Sequence, residues 1–487
     1  MTSRARYRWI VAPRLTDERT LALDVAAGAP TRAHKRPGAP LSLRDALAFV
    51  GLPQAIDAKD KAPEQELIEL LQRAAEIEHS LLLQYLFARY SAVESRIART
   101  IRSIAIEEMG HLITVQNLLV ACRQPAYLSR DDASEFQPFP FRLEALSRAT
   151  LAKFAAAEMP AVDSPNFPDE YRADIPAIVA EARAAAQSDV AAHRVGLLYT
   201  YIYWLMRPDD GPMANEPWTG FPVAQIAANK SFAGRHVGES FFTNQTAREA
   251  ARGQWSGTGS GGGGKIIVDS IVDRMSALSA VAEISAQGEG FGATPDGHFE
   301  RFAASWRTAC GATAPIARPT VVDPWRAGAQ SPAKPADSEI TEPVALKFAE
   351  IGDAAYETCL LLVAYSFALP AAASRDVRLA VASAALACMT DGMAACATTL
   401  LDLPLVKGGD DGVPRCGLPF SAFAPIDASD IAGLKARLQA AIGRVIVTAG
   451  AVDAALGATD AQVTAAASVA DSFQTNVLPA VEAAPVG

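Results

Sequence analysis

The chain has 487 residues, half of them hydrophobic and 20% charged, with a formal net charge of −10. That length allows two or three domains with a large core. The acidic balance argues against nucleic-acid binding, because nucleic-acid-binding surfaces are rich in Lys and Arg. The start of the chain lacks the pattern of a secretory signal, and no uninterrupted apolar run reaches membrane-spanning length.

The cysteines also bear on the cellular compartment. There are six, scattered along the chain without any CxxC pair. In a chain of this length such a distribution favours reduced core residues over disulfides. The sequence therefore predicts a cytoplasmic protein with no membrane partner.

The apolar periodicity predicts an all-α protein. Residues 1–60, with several prolines and a short helix near 43–51, are expected to form an N-terminal arm. Apolar spacings of three and four residues predict helices over 64–90, 92–123, 143–158, 175–206, 269–287 and 297–309. Strand patterns occur only as short pieces within 207–270.

A Pro- and Ala-rich stretch divides the helical patterns into two groups. Residues 61–310 are expected to form one domain, 311–341 a linker, and 342–487 a C-terminal helical domain. The C-terminal helices are predicted over 343–368, 375–402, 428–455 and 459–482.

The most informative motif is Glu107-Glu108-Met109-Gly110-His111, with Glu78 one helix upstream. A Glu followed three residues later by His places two metal ligands on one helical face. Glu78 and Glu108 fall on otherwise apolar stripes, where a bare carboxylate is costly unless a cation or partner neutralises it. The pattern favours a buried metal or polar site. The alternative is an exposed or salt-bridged helix face.

Neighbouring residues are candidates for supporting roles. Glu107 lies one residue off the stripe and is expected to be salt-bridged or to support a ligand or the chemistry. Tyr85, two turns after Glu78, is expected to hydrogen-bond a ligand or to pack. Glu107 and Tyr85 are the two candidate catalytic residues. His79 lies about 100° round the helix from Glu78 and is expected to be a packed or hydrogen-bonded histidine.

The chain resembles a known family in several segments. Residues 76–119, with EIEHSLLLQYL and IRSIAIEEMGHLITVQNLL, resemble the ferritin-like superfamily. More narrowly they resemble the ferritin-like domain of iminophenylpyruvate dimer synthases, which include the chromopyrrolic acid synthases. Further similar segments are 154–160, 195–199, 285–290 (SAQGEG), 298–299 and, more weakly, 416–420. The likeness covers about 64–425.

The resemblance implies a ferritin-like four-helix bundle and a second set of ligands from Glu158, Glu289 and His298. Glu289 stands between two glycines, and His298 follows it by nine residues rather than three. This departs from the symmetric dimetal pattern and points to one metal ion rather than two. Glu158 precedes Met159-Pro160 at a predicted helix end, where an exposed acid is the alternative.

The expected function is a metal-dependent oxidoreductase. The resemblance implies non-haem iron, mono- or dinuclear, acting with dioxygen or peroxide on a small aromatic or amino-acid-derived substrate. It also implies oxidative coupling of 2-imino acids in natural-product biosynthesis, with an amino-acid oxidase supplying the substrate. Three alternatives stay open: a noncovalent haem on His111 or His298, a metal storage or binding protein, and an inactive helical scaffold. The oligomeric state is not predicted.

Overall fold

A computed structural model describes most of the chain. The described residues are 7–10, 52–55, 61–134, 136–160, 168–186, 194–242, 250, 252–255, 266, 268–288, 296–329, 336–408 and 414–485. Within them the protein is helical apart from one short strand pair, which confirms the predicted all-α class.

The N-terminal part holds the strand pair. Strands β1 (Tyr7–Ile10) and β2 (Leu52–Ala55) are antiparallel, with Tyr7 opposite Ala55. The sequence analysis expected strand pieces only within 207–270, so these two strands were missed. Four-residue strands far apart in the chain give too short an alternation to recognise. The predicted helix at 43–51 lies outside the described residues.

The first helical group runs from residue 63 to residue 310. Its members are α1 (Pro63–Ser91), α2 (Ser95–Ala121), α3 (Arg148–Ala157), α4 (Ile175–Ala186), α5 (Arg194–Met206), α6 (Val223–Ala227), α7 (Arg252–Trp255), α8 (Arg274–Gln287) and α9 (His298–Cys310). The single helix predicted over 175–206 corresponds to α4 and α5, between which residues 187–193 are outside the described part.

The long helices α1 and α2 organise this group. Only residues 92–94 separate them, so they pack side by side as antiparallel neighbours. Helix α5 packs against α1, and α8 packs against α5 and α2. Helices α3 and α9 pack against each other, and α9 also contacts α2. The space enclosed by α1, α2, α5, α8 and the α3–α9 pair is where the candidate ligands meet.

The C-terminal group is built around one buried helix. Its members are α10 (Pro343–Ala368), α11 (Arg375–Ala387), α12 (Ala394–Leu400), α13 (Ile431–Gly450), α14 (Asp460–Ser472) and α15 (Leu478–Ala483). Short π-helical segments, Cys388–Met393 and Phe473–Val477, continue α11 into α12 and α14 into α15. Helix α10 packs against α11, α12 and α13.

One stretch of this group satisfies the length and composition expected of a membrane span. It is Arg375–Leu400, the only such helix in the described part of the chain. The stretch contains Asp391, so it is not an uninterrupted apolar run, and 44% of its most apolar window is buried inside the protein. The core helix of a folded protein meets the same criteria, so this is weak evidence for a span.

The two helical groups share one continuous apolar core. At their junction, Nε2 of the His79 ring and the hydroxyl of Tyr356 on α10 form a 2.7 Å hydrogen bond. Gly417 lies so close to the Phe87 ring that an added Cβ would come within 2.5 Å of it. All six cysteines are free thiols; five are buried and Cys310 is exposed.

Candidate metal centre

Helices α1 and α2 contribute three of the predicted ligands. Glu78 lies in the middle of α1, and Glu108 and His111 lie one turn apart on α2. Their side chains are buried, with exposed fractions of 3%, 2% and 7%. The structure therefore selects the buried site over the exposed helix face.

Helices α3 and α9 contribute two more residues through their ends. Glu158 is the residue that terminates α3, and His298 is the first residue of α9. Both are buried, so the exposed-acid alternative for Glu158 is wrong. Glu289 lies outside the described residues, and its predicted role stays a prediction.

These five side chains form two groups that share Glu108. One is Glu78, Glu108 and His111; the other is Glu108, Glu158 and His298. Each residue offers one potential ligand atom, and within each group these atoms lie within 4.8 Å of one another. The sequence asymmetry around His298 pointed to one metal ion, and the number of ions stays a prediction; the geometry shows two adjacent groups that share Glu108.

The distances give the two groups nearly the same arrangement. In the first, Nδ1 of His111 lies 3.0 Å from Oε2 of Glu108 and 3.6 Å from Oε2 of Glu78. In the second, Nδ1 of His298 lies 3.0 Å from Oε1 of Glu108 and 3.5 Å from Oε2 of Glu158. Glu108 thus presents one oxygen to each group, as a bridging carboxylate does.

The opposite ring nitrogens of both histidines are held by hydrogen bonds. Nε2 of His298 donates to Glu107 at 2.9 Å, and Nε2 of His111 donates to the Gln287 side-chain oxygen at 2.9 Å. A neutral imidazole that donates through Nε2 keeps its lone pair on Nδ1. The atom that faces the carboxylates is then the one able to bind a metal, and such outer hydrogen bonds are usual for metal-binding histidines.

Two buried tyrosines hold the terminal carboxylates. The Tyr199 hydroxyl donates to Oε1 of Glu78, and the Tyr85 hydroxyl donates to Oε1 of Glu158, each at 2.5 Å. In both cases the other carboxylate oxygen, Oε2, faces the nearby imidazole. In the sequence, Tyr199 stands out only as the last residue of the segment 195–199 that resembles the family. Its partner lies 121 positions away, so no local signal links the two residues.

Glu107 lies outside both groups and supports the second one. Besides His298 it binds Arg301 of α9, whose Nη1 donates to its Oε1 at 2.9 Å. Burial disfavours the Glu107 carboxylate, but hydrogen bonds from His298 and Arg301 outweigh that and lower its pKa to about 2. Glu107 is therefore a fixed negative charge behind His298.

Two buried atoms in the site are not satisfied by hydrogen bonding. Oε1 of Glu108 and Nδ1 of His298 are inaccessible to water and have no hydrogen-bond partner in the described part of the chain. They lie 3.0 Å apart without hydrogen-bond geometry. An unsatisfied buried carboxylate oxygen is costly, so this pair fits a cation shared between them.

The pKa values show how strongly the site attracts positive charge. Burial and the Glu108 charge raise the pKa of Glu78 to about 7. Burial disfavours charged imidazoles, yet Glu108 and its neighbours raise the pKa of His111 and His298 well above the ordinary value. Either protons or metal cations can supply this charge, and the two compete.

The space beside these ligands is small. A cavity of about 20 Å³ lies between them, with walls that include Leu81, Val195 and Ile284. A water molecule needs a volume of roughly 10–15 Å³. The cavity accommodates ions and ligands of one or two atoms. A porphyrin or an aromatic acid does not fit.

The fold and the site together define a helical bundle with a buried carboxylate–imidazole cluster suited to holding metal. Residues 71–305 match the family model described as Ferritin-like. This range contains all five described ligand candidates. These residues therefore form a ferritin-like domain.

Comparison with solved structures gives a weaker likeness. A crystal structure of a ferritin-like protein from Caulobacter vibrioides aligns over 72% of this chain and 98% of its own, with 17% identity and a TM-score of 0.38. At that TM-score the similarity adds no argument about the site. The chain has no match among curated proteins. The family-model match supports a ferritin-like domain over residues 71–305, and the narrower resemblance stays a prediction.

Proposed function

We propose that the ferritin-like domain binds two divalent metal ions of the iron type and that the protein is a metal-dependent oxidoreductase. The observation that carries the proposal is the pair of ligand groups joined by Glu108, with Oε1 of Glu108 and Nδ1 of His298 buried and unsatisfied. Mixed carboxylate and imidazole ligands suit iron and manganese. Bridging carboxylates offset the repulsion between two nearby cations.

The protein side chains would perform four tasks around the metal. Glu78, His111, Glu158 and His298 would hold the ions, and Glu108 would bridge them. Bound iron would supply the redox chemistry with dioxygen or peroxide. The hydrogen bonds from the two tyrosines, Gln287 and Glu107 would keep each ligand atom oriented. The apolar walls would exclude bulk water from the reacting atoms.

The proposed substrate class is a 2-imino acid derived from an aromatic amino acid. This narrower proposal rests on the sequence resemblance to iminophenylpyruvate dimer synthases. Joining two such molecules by a carbon–carbon bond releases two protons and two electrons. Reduction of dioxygen to hydrogen peroxide, or of hydrogen peroxide to two waters, accepts them. The cavity of about 20 Å³ requires that its walls separate before such a substrate touches the centre.

The test combines metal analysis with product analysis. Purified protein is loaded with Fe(II), and 2-imino acid is generated in place by an amino-acid oxidase. A coupled dimer detected by mass spectrometry supports the enzyme, provided that Glu108→Gln protein gives none. Because the oxidase also produces hydrogen peroxide, adding catalase decides between peroxide and dioxygen as the oxidant. Iron bound at two per chain without any dimer contradicts the coupling reaction.

A second candidate function is metal binding or storage without an organic substrate. The small cavity volume favours it, because ions fit there and an aromatic acid does not. Uptake of iron with a single round of oxidation, and no sustained oxygen consumption with any imino acid, would support this alternative. A stable protein that binds no iron would support the scaffold interpretation instead.

A further inference from the structure

A larger groove lies on the far side of Glu107 from the metal centre. It has a volume of about 530 Å³ and runs between α2 and α9, with Glu170 and Tyr171 on its rim. This volume is in the range of small-molecule sites. The candidate metal centre does not use it.

The charges in the groove are separated along its length. His298 and Arg301 of α9 contact Glu107, and Arg301 also reaches Ser103 one turn earlier on α2. The two helices therefore run antiparallel. Arg99 lies two turns before Glu107, about 12 Å along the axis.

The antiparallel arrangement of the two helices determines where the charged side chains lie in the groove. Arg96 and Arg99 lie at the α2 start, beside the later turns of α9. Asp296 and Glu300 lie at the opposite end, around the start of α9. Glu170 also lies beside the later turns of α9, where its backbone oxygen accepts a hydrogen bond from Arg307. One end of the groove therefore has two arginines and one acid, and the other end has two acids.

The two arginines Arg96 and Arg99 are available to bind a ligand. In the described part of the chain, Arg96 and Arg99 form no ion pair within 4.0 Å, and both are exposed. Arg301 also lines the groove, but Glu107 already neutralises it. Arg96 and Arg99 can therefore receive a carboxylate from solution.

We infer that this groove binds an extended dipolar molecule, with a carboxylate at Arg96 and Arg99 and a cationic nitrogen at Asp296 and Glu300. Apart from Arg301, which Glu107 neutralises, the groove has two arginines at one end and two of its three carboxylates at the other, which suits a ligand charged at both ends. A simple anion would meet the acids at one end, and a simple cation would meet the arginines at the other. Amino acids with a charged side-chain nitrogen and short peptides belong to this class.

The groove is linked to the metal centre by a short chain of contacts. Arg301 in the groove wall binds Glu107, and Glu107 accepts the Nε2 hydrogen bond of His298. A ligand seated in the groove therefore lies one ion pair away from a candidate metal ligand. The inference does not depend on the proposed metal chemistry, since it concerns groups outside both ligand groups.

The test uses probes that carry one or both charges. Binding to the metal-free full chain is measured by isothermal titration calorimetry with 6-aminohexanoate, hexanoate, hexylamine and glycine. We expect 6-aminohexanoate to bind about tenfold more tightly than either singly charged probe, and glycine, with adjacent charges, to bind weakly. Each end contributes exposed ion pairs, so a difference of that order is expected.

Matched variants assign each charge to its end. The double variant Arg96→Ala and Arg99→Ala should bind 6-aminohexanoate about tenfold more weakly and leave hexylamine unaffected. The double variant Asp296→Asn and Glu300→Gln should also bind 6-aminohexanoate about tenfold more weakly, but it should leave hexanoate binding unaffected. Arg375→Ala, which removes an exposed arginine elsewhere, should change nothing.

Three outcomes would overturn the inference: no binding of 6-aminohexanoate, equal binding of hexanoate, or unchanged binding in the arginine double variant. The metal content of these variants is measured in parallel. If the groove fails to bind while iron still binds, only this inference falls. If iron fails to bind while the groove binds its probe, only the proposed metal function falls.

Discussion

The shared position of Glu108 leads to a prediction about metal stoichiometry. Glu108→Gln removes the only described carboxylate that belongs to both ligand groups. We expect this variant to lose both of the proposed metal ions. Glu158→Gln alters only the second group, so it should retain one ion bound by Glu78, Glu108 and His111.

The magnitude follows from the loss of one negative charge next to a divalent cation. At about 4 Å and an effective dielectric constant near 20, that attraction is roughly 8 kcal/mol before any cost is subtracted. Relief of carboxylate desolvation cancels most of it. A remainder of about 2–3 kcal/mol corresponds to roughly a 30- to 150-fold increase in Kd. In Glu108→Gln this loss acts on both ions.

The assay is anaerobic titration of metal-free protein with Fe(II), followed by elemental analysis after desalting. Glu66→Gln is the matched control. Glu66 is a buried carboxylate on the same helix as Glu78, but its partners are Tyr201 and Arg235. Circular dichroism verifies that each variant is folded. The control should keep two ions per chain.

Two results would refute the reasoning. Full retention of two ions in Glu108→Gln would mean that Glu108 does not bridge. Loss of both ions in Glu158→Gln, with an intact fold, would mean that the two positions are not separate groups.

Other predictions concern hydrogen bonding, pH and packing. Tyr199→Phe should weaken Fe(II) binding about 10- to 100-fold, because it removes a buried hydrogen bond to a ligand; an unchanged Kd in the same titration would contradict this. Burial and the Arg130 charge lower the pKa of His79 to about 3, whereas the unfolded chain binds that proton near 6.5. The contribution of neutral His79 to the free energy of unfolding is therefore complete above about pH 6.5 and falls by about 1.4 kcal/mol per pH unit as the pH drops toward 3. In urea unfolding measured across this pH range, His79→Gln should lack this part of the pH dependence. Gly352→Ala should destabilise by about 1–3 kcal/mol, because its Cβ would lie 2.2 Å from a neighbouring leucine methyl, whereas Gly443→Ala, with nothing within 4 Å, should be neutral or stabilising in the same thermal melts.

The helices and the α1–α2 ligands could be predicted from sequence because their signals are local. Glu78 and Glu108 interrupt apolar stripes, and the spacing of Glu108 and His111 is one helical turn. Spacing within one helix fixes which residues share a face. That is sufficient to place a polar group in the core.

The rest of the site depends on contacts between distant segments. Tyr199 reaches Glu78, and Gln287 reaches His111 across 176 positions, without any pattern in their own helices. Glu158 and His298 act from helix ends, where an acid or a histidine is usually exposed. The pairing of the two ligand groups through Glu108 likewise appears only when α3 and α9 are placed in space.

One junction has a consequence for dissecting the protein. Glu78 and His79 are adjacent on α1, yet the first faces the ligand cluster and the second bonds Tyr356 of the C-terminal helices. Expressing the metal-binding part without those helices would expose an apolar surface. It would also leave the His79 imidazole without its Tyr356 partner, next to the candidate metal ligand Glu78. The solubility of such a fragment and the geometry around Glu78 should therefore be checked before any loss of activity is attributed to the metal centre itself.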